Sequence, residues 1–159
     1  MNADEYEILL VEDDPADAEL TKRSLLEEGL GGRITHMRDG AEALDYIFCR
    51  GAFRGKGLDR PPCMILLDLK LPRLSGHEVL RVIKSDWRTS AIPVVVLTSS
   101  NHEKDLLQCY RLGVNSYVQK PVDLKKFQET LGALGLYWLV VNQKPPDSIF
   151  PRAASGENP

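Results

Sequence analysis

The sequence predicts an α/β fold, a single doubly wound sheet of five parallel strands in the order 2-1-3-4-5. Short apolar runs alternate along the chain with amphipathic stretches, which is typical of repeated β-α units. Parallel strands need a crossover helix, and crossovers are almost always right-handed, so five such units place helices on both faces of one sheet. Several apolar runs also end in a charged or hydroxyl residue, which predicts a site beyond the carboxyl ends of the strands.

The first strand is predicted at residues 8–11, and a helix follows it directly. Asp14 can cap this helix, which begins at Pro15, carries Asp17 in its first turn and ends near Gly29. Its inward-facing residues are predicted to be Ala18, Thr21 and Leu25.

The second strand is predicted at residues 33–37 and its helix opens at Asp39-Gly40. The apolar side of that helix carries Leu44, Ile47 and Phe48. Residues 51–62 are rich in Gly, Arg and Pro and predict an extended loop away from the chemistry.

The third and fourth strands are predicted at residues 64–67 and 94–97, both wholly apolar. Ser75-Gly76 starts the third helix, whose buried positions are predicted to be Val79, Leu80 and Ile83. The fifth strand contains Tyr117 and Val118. We expect Asn101 to cap a fourth helix that ends at Gly113, and Asp123 to cap a fifth that runs to about Val141.

Composition indicates one soluble domain. The chain has 159 residues, of which 43% are hydrophobic, and this is enough apolar material for a single core. A net charge of −3 argues against a broad basic surface for nucleic acid. The N-terminus is acidic, and no apolar stretch approaches the roughly 20 residues of a membrane span. We therefore expect a cytoplasmic protein that binds neither nucleic acid nor membrane.

Cysteines and histidines form no metal or disulfide pattern. The chain has three cysteines, Cys49, Cys63 and Cys109. An odd number without a Cys-x-x-Cys pair argues against a disulfide framework and against a zinc site. The histidines are scattered, and surface or strand-face roles are expected for them: His36, His77 and His102.

Polar residues follow four of the predicted strands and are expected to converge. Glu12-Asp13, Asp68, Thr98 and Lys120 each lie at or just beyond the end of an apolar run. Neighbouring parallel strands would bring their three carboxylates, one hydroxyl and one ammonium to one spot. Such a set of groups suits a divalent cation and a phosphoryl group.

Four segments resemble the receiver domains of two-component response regulators, over roughly residues 6 to 141. They are Val11-Glu12-Asp13-Asp14-Pro15, Leu66-Leu67-Asp68-Leu69-Lys70-Leu71-Pro72, Leu97-Thr98-Ser99 and Lys120-Pro121. The chain is most similar to the single-domain, phytochrome-associated branch, because of the loop before the third strand, the strand at residues 92–98 and the long last helix. The resemblance implies a flavodoxin-like receiver domain at residues 1–142, with a flexible or partner-packing tail at 143–159.

The resemblance assigns a phosphoacceptor role to Asp68, with a sensor histidine kinase of the phytochrome type as donor. A carboxylate can carry phosphoryl as a mixed anhydride. Glu12, Asp13 and Asp68, with the backbone carbonyl of Lys70, would bind Mg²⁺, or Mn²⁺ in its place. Lys120 would neutralise the phosphoryl charge, while Thr98 would donate a hydrogen bond to it.

Signalling is expected to follow from a switch pair, Thr98 and Tyr117, as in similar receivers. Phosphorylation would pull Thr98 toward the new oxygens and let Tyr117 turn inward, which changes the surface of the fourth helix, fifth strand and fifth helix. The resemblance also implies a cis peptide bond at Lys120-Pro121.

The last helix predicts a homodimer, because its apolar residues cover more than one face. The expected interface residues are Tyr117, Leu134, Trp138 and Leu139. The alternative is that the tail folds back and covers this surface.

Two other functions compete with that of a phosphoacceptor. A receiver-like module that docks without phosphorylation would be favoured by a missing acid, threonine or lysine, and all are present. A metal-dependent phosphohydrolase would want a second carboxylate soon after Asp68, and Leu69-Lys70 does not supply it. We expect no enzyme activity beyond Mg²⁺-dependent self-phosphorylation from small donors and self-dephosphorylation.

Overall fold

Five parallel strands form one sheet in the computed structural model, which describes residues 6–30, 32–55, 61–146 and 149. The strands are Glu7–Val11 (β1), Arg33–Met37 (β2), Met64–Leu67 (β3), Val94–Thr98 (β4) and Ser116–Gln119 (β5). Their order is β2-β1-β3-β4-β5, and all neighbours are parallel, which confirms the predicted fold class. The predictions for the N-terminal five residues, for 56–60 and for most of the tail lie outside the described residues.

Five α-helices connect or follow these strands. They are Pro15–Glu27 (α1), Gly40–Ile47 (α2), Gly76–Ser85 (α3), Glu103–Leu112 (α4) and Leu124–Leu136 (α5). The predicted loop at 51–62 begins with a short 3-10 helix, Gly51–Phe53, and α5 continues into a π-helical turn, Tyr137–Val141. Within the described residues, no helix is both long and apolar enough to cross a membrane.

Two apolar clusters fill the space on either side of the sheet. Alternate strand residues enter opposite clusters, as the two-residue period of a strand requires. One cluster joins the sheet to α2, α3 and Cys109 of α4, whereas the other joins it to α1 and α5. Strands β3 and β4 are buried along their whole length, because helices cover both of their faces.

Most predicted helix caps are present. The carboxylates of Asp14, Asp39 and Asp123 and the hydroxyl of Ser75 accept hydrogen bonds from backbone N–H groups in the first turns of their helices.

The prediction for Asn101 was wrong, since α4 begins at Glu103 with His102 at the N-cap position. Ser100 supplies the stabilising hydroxyl there instead. It accepts from the His102 N–H at 3.3 Å and donates to Asp105 at 2.5 Å.

Candidate functional site

Sheet order places the acidic residues side by side. β1 pairs with β3, and Val11 lies opposite Leu67 in the register. Glu12 and Asp68, which directly follow those two residues, therefore leave the sheet as neighbours. Thr98 ends β4, and Lys120 follows β5, whose last residue pairs with Thr98. The four strand ends thus meet at one edge of the sheet.

The ammonium group of Lys120 lies among three carboxylates of the site. Its Nζ lies 2.7 Å from Glu12 Oε2, 3.0 Å from Asp17 Oδ2 and 3.1 Å from Asp68 Oδ2. An ammonium has three N–H donors, so each carboxylate receives one of them. Burial alone would lower the pKa of Lys120, but the hydrogen bond to Glu12 and the charges of Asp68 and Glu12 outweigh burial and raise the pKa. Lys120 is therefore a fixed positive charge, and its side chain is only 10% exposed.

Glu12 is the most deeply buried acid of the site, with 3% of its surface exposed. Burial raises the pKa of its carboxyl, the hydrogen bond from Lys120 lowers it, and the nearby charge of Asp68 raises it again, so that the net change is upward. Glu12 Oε1 also accepts the Asp14 N–H at 3.1 Å, which fixes the direction of the carboxyl group. A further positive charge beside Glu12 would favour its ionised form.

Three carboxylates form a group that fits a divalent cation. One oxygen from each of Glu12, Asp13 and Asp68 lies within 4.8 Å of the others. Hard carboxylate oxygens are the ligands that Mg²⁺ and Mn²⁺ prefer. Asp13 is exposed, whereas Glu12 and Asp68 are buried, so a cation could enter from solvent and keep several of its waters.

Asp68 is held on both sides. Its Oδ1 accepts the Lys70 N–H at 3.2 Å, and its Oδ2 accepts from Lys120. The Asp68 side chain is 10% exposed, so its carboxylate is largely shielded from bulk water. The role of the Lys70 carbonyl as a ligand stays a prediction.

Thr98 and Tyr117 are both bonded to Ser100. The buried Thr98 accepts the Ser100 N–H at 3.2 Å on Oγ1, and the half-buried Tyr117 hydroxyl donates to the Ser100 carbonyl at 3.5 Å. The two predicted switch residues therefore share one backbone segment. The sequence offered no direct signal for this link.

The expectation of a cis peptide bond at Lys120-Pro121 was wrong. The described residues contain no cis peptide bond, and trans is the lower-energy isomer even before proline. Lys120 is oriented instead by its backbone N–H, which donates to the Thr98 carbonyl at 2.7 Å, and by its three carboxylate partners.

Two contacts in the site were missed by sequence reasoning. Asp17 was expected only in the first turn of α1, yet it contacts Lys120; its place in that turn, directly after the acidic Glu12-Asp13 pair and its cap, is the signal that could have found it. His36 was expected on the strand face, and its Nε2 donates to the Glu12 carbonyl at 2.7 Å.

The predicted interface residues differ in accessibility. Leu139 is 2% exposed and packs in the core of its own chain, so it is not available to a partner. Tyr117, Leu134 and Trp138 are half-buried. The apolar surface left open around the last helix is formed by Leu136, Tyr137, Val140 and Val141, each about half exposed.

A family model described as the response regulator receiver domain matches residues 8–132. The chain is 45% identical over 142 residues to the probable methanogenesis regulatory protein FilR2 of Methanothrix harundinacea, which covers 89% of each protein. It is 37% identical to the response regulator Rcp1 of Synechocystis over 83% of this chain and 88% of Rcp1.

Solved structures give the same answer. The phosphorylated cyanobacterial phytochrome response regulator RcpA superposes with a TM-score of 0.82 at 36% identity, over 89% of this chain and 99% of that one. The Mn²⁺-bound form of Rcp1 superposes with a TM-score of 0.81 at 35% identity, over the same shares. Receiver domains are signalling proteins that receive phosphoryl groups from histidine kinases and bind a divalent metal at an acidic pocket. The chain belongs to the response regulator receiver domain family and is a homologue of the phytochrome response regulators.

Proposed function

We propose that Asp68 is the phosphoacceptor and that Lys120 and Thr98 assist the transfer. The observation that carries this proposal is the position of Asp68, a buried carboxylate whose Oδ2 lies 3.1 Å from the ammonium of Lys120. In the proposed step an Asp68 oxygen attacks phosphorus, the bond from phosphorus to the donor's imidazole nitrogen breaks, and an acyl phosphate forms. Lys120 offsets the added negative charge.

The acidic group formed by Glu12, Asp13 and Asp68 is proposed to hold Mg²⁺, with the Lys70 carbonyl as a further ligand and Mn²⁺ as a substitute. A bound divalent cation would neutralise charge on the phosphoryl oxygens. The Mn²⁺-bound form of the similar protein Rcp1 supports this class of metal.

Thr98 and Tyr117 are proposed to report phosphorylation. The Thr98 hydroxyl would turn from the Ser100 N–H toward a phosphoryl oxygen, which frees space for Tyr117 to move inward. Because Tyr117 also donates to the Ser100 carbonyl, the β4–α4 segment would shift with it. The surface of α4, β5 and α5 would then differ between the two states.

The donor is proposed to be a sensor histidine kinase of the phytochrome type, because the similar structures include phytochrome response regulators. The proposed setting is the cytoplasm. We propose no nucleic-acid contact, since the net charge is −3.

Phosphorylation can be tested with a small donor. The protein is incubated with acetyl phosphate and Mg²⁺, and its intact mass is measured. We expect a gain of one phosphoryl group that is absent in Asp68→Asn and in EDTA, while Asp45→Asn, a partly exposed acid away from the site, retains the gain. A wild-type mass that does not change, under conditions that label another receiver, would contradict the proposal and favour the phosphorylation-independent docking module.

A homodimer is proposed through the open apolar surface of Leu136, Tyr137, Val140 and Val141. Sedimentation velocity over a range of concentrations tests it, with and without phosphorylation. Val140→Lys is expected to shift the protein to monomer, because a charge would be buried at the contact. Trp87→Lys, just after α3, is the matched control and is expected to leave the dimer intact. A wild type that is monomeric throughout would contradict the dimer.

A further inference from the structure

Lys120 contacts one carboxylate that does not belong to the acidic group of Glu12, Asp13 and Asp68. Glu12 and Asp68 belong to the group that fits a divalent cation, whereas Asp17 does not. Asp17 nevertheless contacts the Lys120 ammonium at 3.0 Å, slightly closer than Asp68 does. This third contact needs its own explanation.

A divalent cation and Lys120 compete for the same carboxylates. Glu12 Oε2 and Asp68 Oδ2 face the ammonium, and the other oxygen of each already accepts a backbone N–H. A cation that binds both residues must weaken these ion pairs and repel the ammonium, since both are positive. The Lys120 side chain is only 10% exposed, so water cannot readily replace the lost contacts.

Asp17 is placed to receive the displaced ammonium. It lies in the first turn of α1, where its N–H donates to Asp14 Oδ1 at 3.0 Å. Its side chain is 45% exposed, so this carboxylate contacts Lys120 from a solvent-accessible position, whereas Glu12 and Asp68 are buried. It can retain Lys120 without leaving the position that the helix gives it.

We propose that Asp17 is a positioning residue that retains the Lys120 ammonium when a divalent cation occupies Glu12 and Asp68, and thereby sets the affinity of the site for that cation. This inference rests on the proposed function, because it requires the metal site. Without Asp17, the ammonium has only the two metal-binding carboxylates as partners and competes with the cation for them. The same anchor keeps Lys120 beside Asp68, ready for the phosphoryl group.

Binding of Mn²⁺ without any phosphodonor tests this role. Dissociation constants are measured by electron paramagnetic resonance for wild type, Asp17→Asn, Lys120→Met and the double variant. Asp17→Asn is expected to weaken Mn²⁺ on the order of tenfold, as loss of a supporting partner does at other metal sites. Asp17→Glu keeps the charge and should recover most of the affinity, and Glu19→Gln removes a charge from the exposed side of α1 and should have little effect.

The double variant separates anchoring from simple attraction. If Asp17 acts through Lys120, its substitution weakens Mn²⁺ less in the Lys120→Met background than in wild type. The alternative is that Asp17 only attracts the cation through its negative charge. In Lys120→Met that charge is no longer neutralised, so Asp17→Asn would then weaken Mn²⁺ binding there as much as in wild type, or more. The second result would overturn the inference.

Folding of each variant is checked by circular dichroism. If Lys120→Met does not fold, the inference is tested by nuclear magnetic resonance, which compares the lysine ammonium signals of wild type and Asp17→Asn. A protected Lys120 signal should survive addition of Mg²⁺ in wild type and be lost in Asp17→Asn; identical behaviour would overturn the inference. A folded wild type that binds no Mn²⁺ would contradict the metal site itself, whereas normal binding that Asp17→Asn leaves unchanged contradicts only the role of Asp17.

Discussion

Lys84 shows how the fold acts on a single charge far from the acidic site. Its Nζ donates to the carbonyls of Ser90 at 3.0 Å and Ile92 at 2.8 Å, which ties the end of α3 to the segment before β4. Burial lowers the pKa of Lys84 from 10.5 to about 8. A neutral amine retains two N–H donors, so both hydrogen bonds can survive loss of the proton.

The lowered pKa of Lys84 predicts a pH dependence of stability. Between pH 8 and 10.5 the unfolded chain binds more protons at Lys84 than the folded chain does, so the free energy of unfolding rises with pH in this window. From pH 7.5 to 9.5 we expect wild type to gain about 1 to 2 kcal/mol relative to Lys84→Met, measured by urea unfolding. Lys104→Met, an exposed lysine of α4, is the control and should parallel wild type. Equal slopes for wild type and Lys84→Met would contradict the prediction.

At the scale of the elements, the start of α3 lies against the segment that carries Asp68. A Cβ atom on Gly76 would overlap the Asp68 carbonyl oxygen and would lie 2.6 Å from the Leu69 Cα. Both obstacles are backbone, which cannot swing away as a side chain can. The Gly76 N–H also donates to the Leu69 carbonyl at 2.9 Å. A residue without a side chain therefore lets α3 fix the backbone that carries Asp68, the proposed phosphoacceptor.

Gly76→Ala is accordingly expected to destabilise the fold by about 1 to 3 kcal/mol, as overpacking typically does, and to displace Asp68. The measurements are urea unfolding and the phosphoryl gain from acetyl phosphate. Gly135→Ala in α5 is the matched control, since the three atoms nearest to its Cβ all belong to the Leu30 side chain, which can move. Equal costs for the two substitutions, or full labelling of Gly76→Ala, would contradict this account.

For the whole molecule, the acidic group predicts stabilisation by a divalent cation. Glu12, Asp13 and Asp68 come from strand ends that are brought together only by folding, so a cation held by the proposed site would bind the native state in preference to the unfolded chain. At a hundredfold excess over its dissociation constant, Mg²⁺ should add about 2.7 kcal/mol to the free energy of unfolding.

Thermal unfolding with and without Mg²⁺ at constant ionic strength measures this effect. Asp13→Asn removes an exposed carboxylate of the proposed metal site and is expected to lose most of the rise in Tm. Asp45→Asn removes a partly exposed acid elsewhere and should keep it. An equal rise in Tm for wild type and Asp13→Asn would show that Mg²⁺ stabilises the protein by non-specific charge effects and not by binding at this site.

Much of the fold was predictable because it depends on local patterns. The apolar runs, the caps at Asp14, Asp39, Ser75 and Asp123, and the β-α alternation are written in short stretches of sequence, and right-handed crossovers restrict their arrangement. The N-cap of α4 lies one residue later than predicted, at His102 instead of Asn101, and the Ser100 hydroxyl stabilises this start by accepting from the His102 N–H and donating to Asp105.

The sequence by itself determined the fold class, the strand order and the candidate residues Glu12, Asp13, Asp68, Thr98 and Lys120, since each is marked by its place at the end of an apolar run. Only the tertiary structure decided which groups touch. It gave Lys120 a third partner in Asp17, joined Thr98 to Tyr117 through Ser100, and buried Leu139 within its own chain. These contacts join segments that are far apart in the sequence. Hydrophobic periodicity predicts which face of a helix or strand is buried, but it does not predict which residues pack against that face.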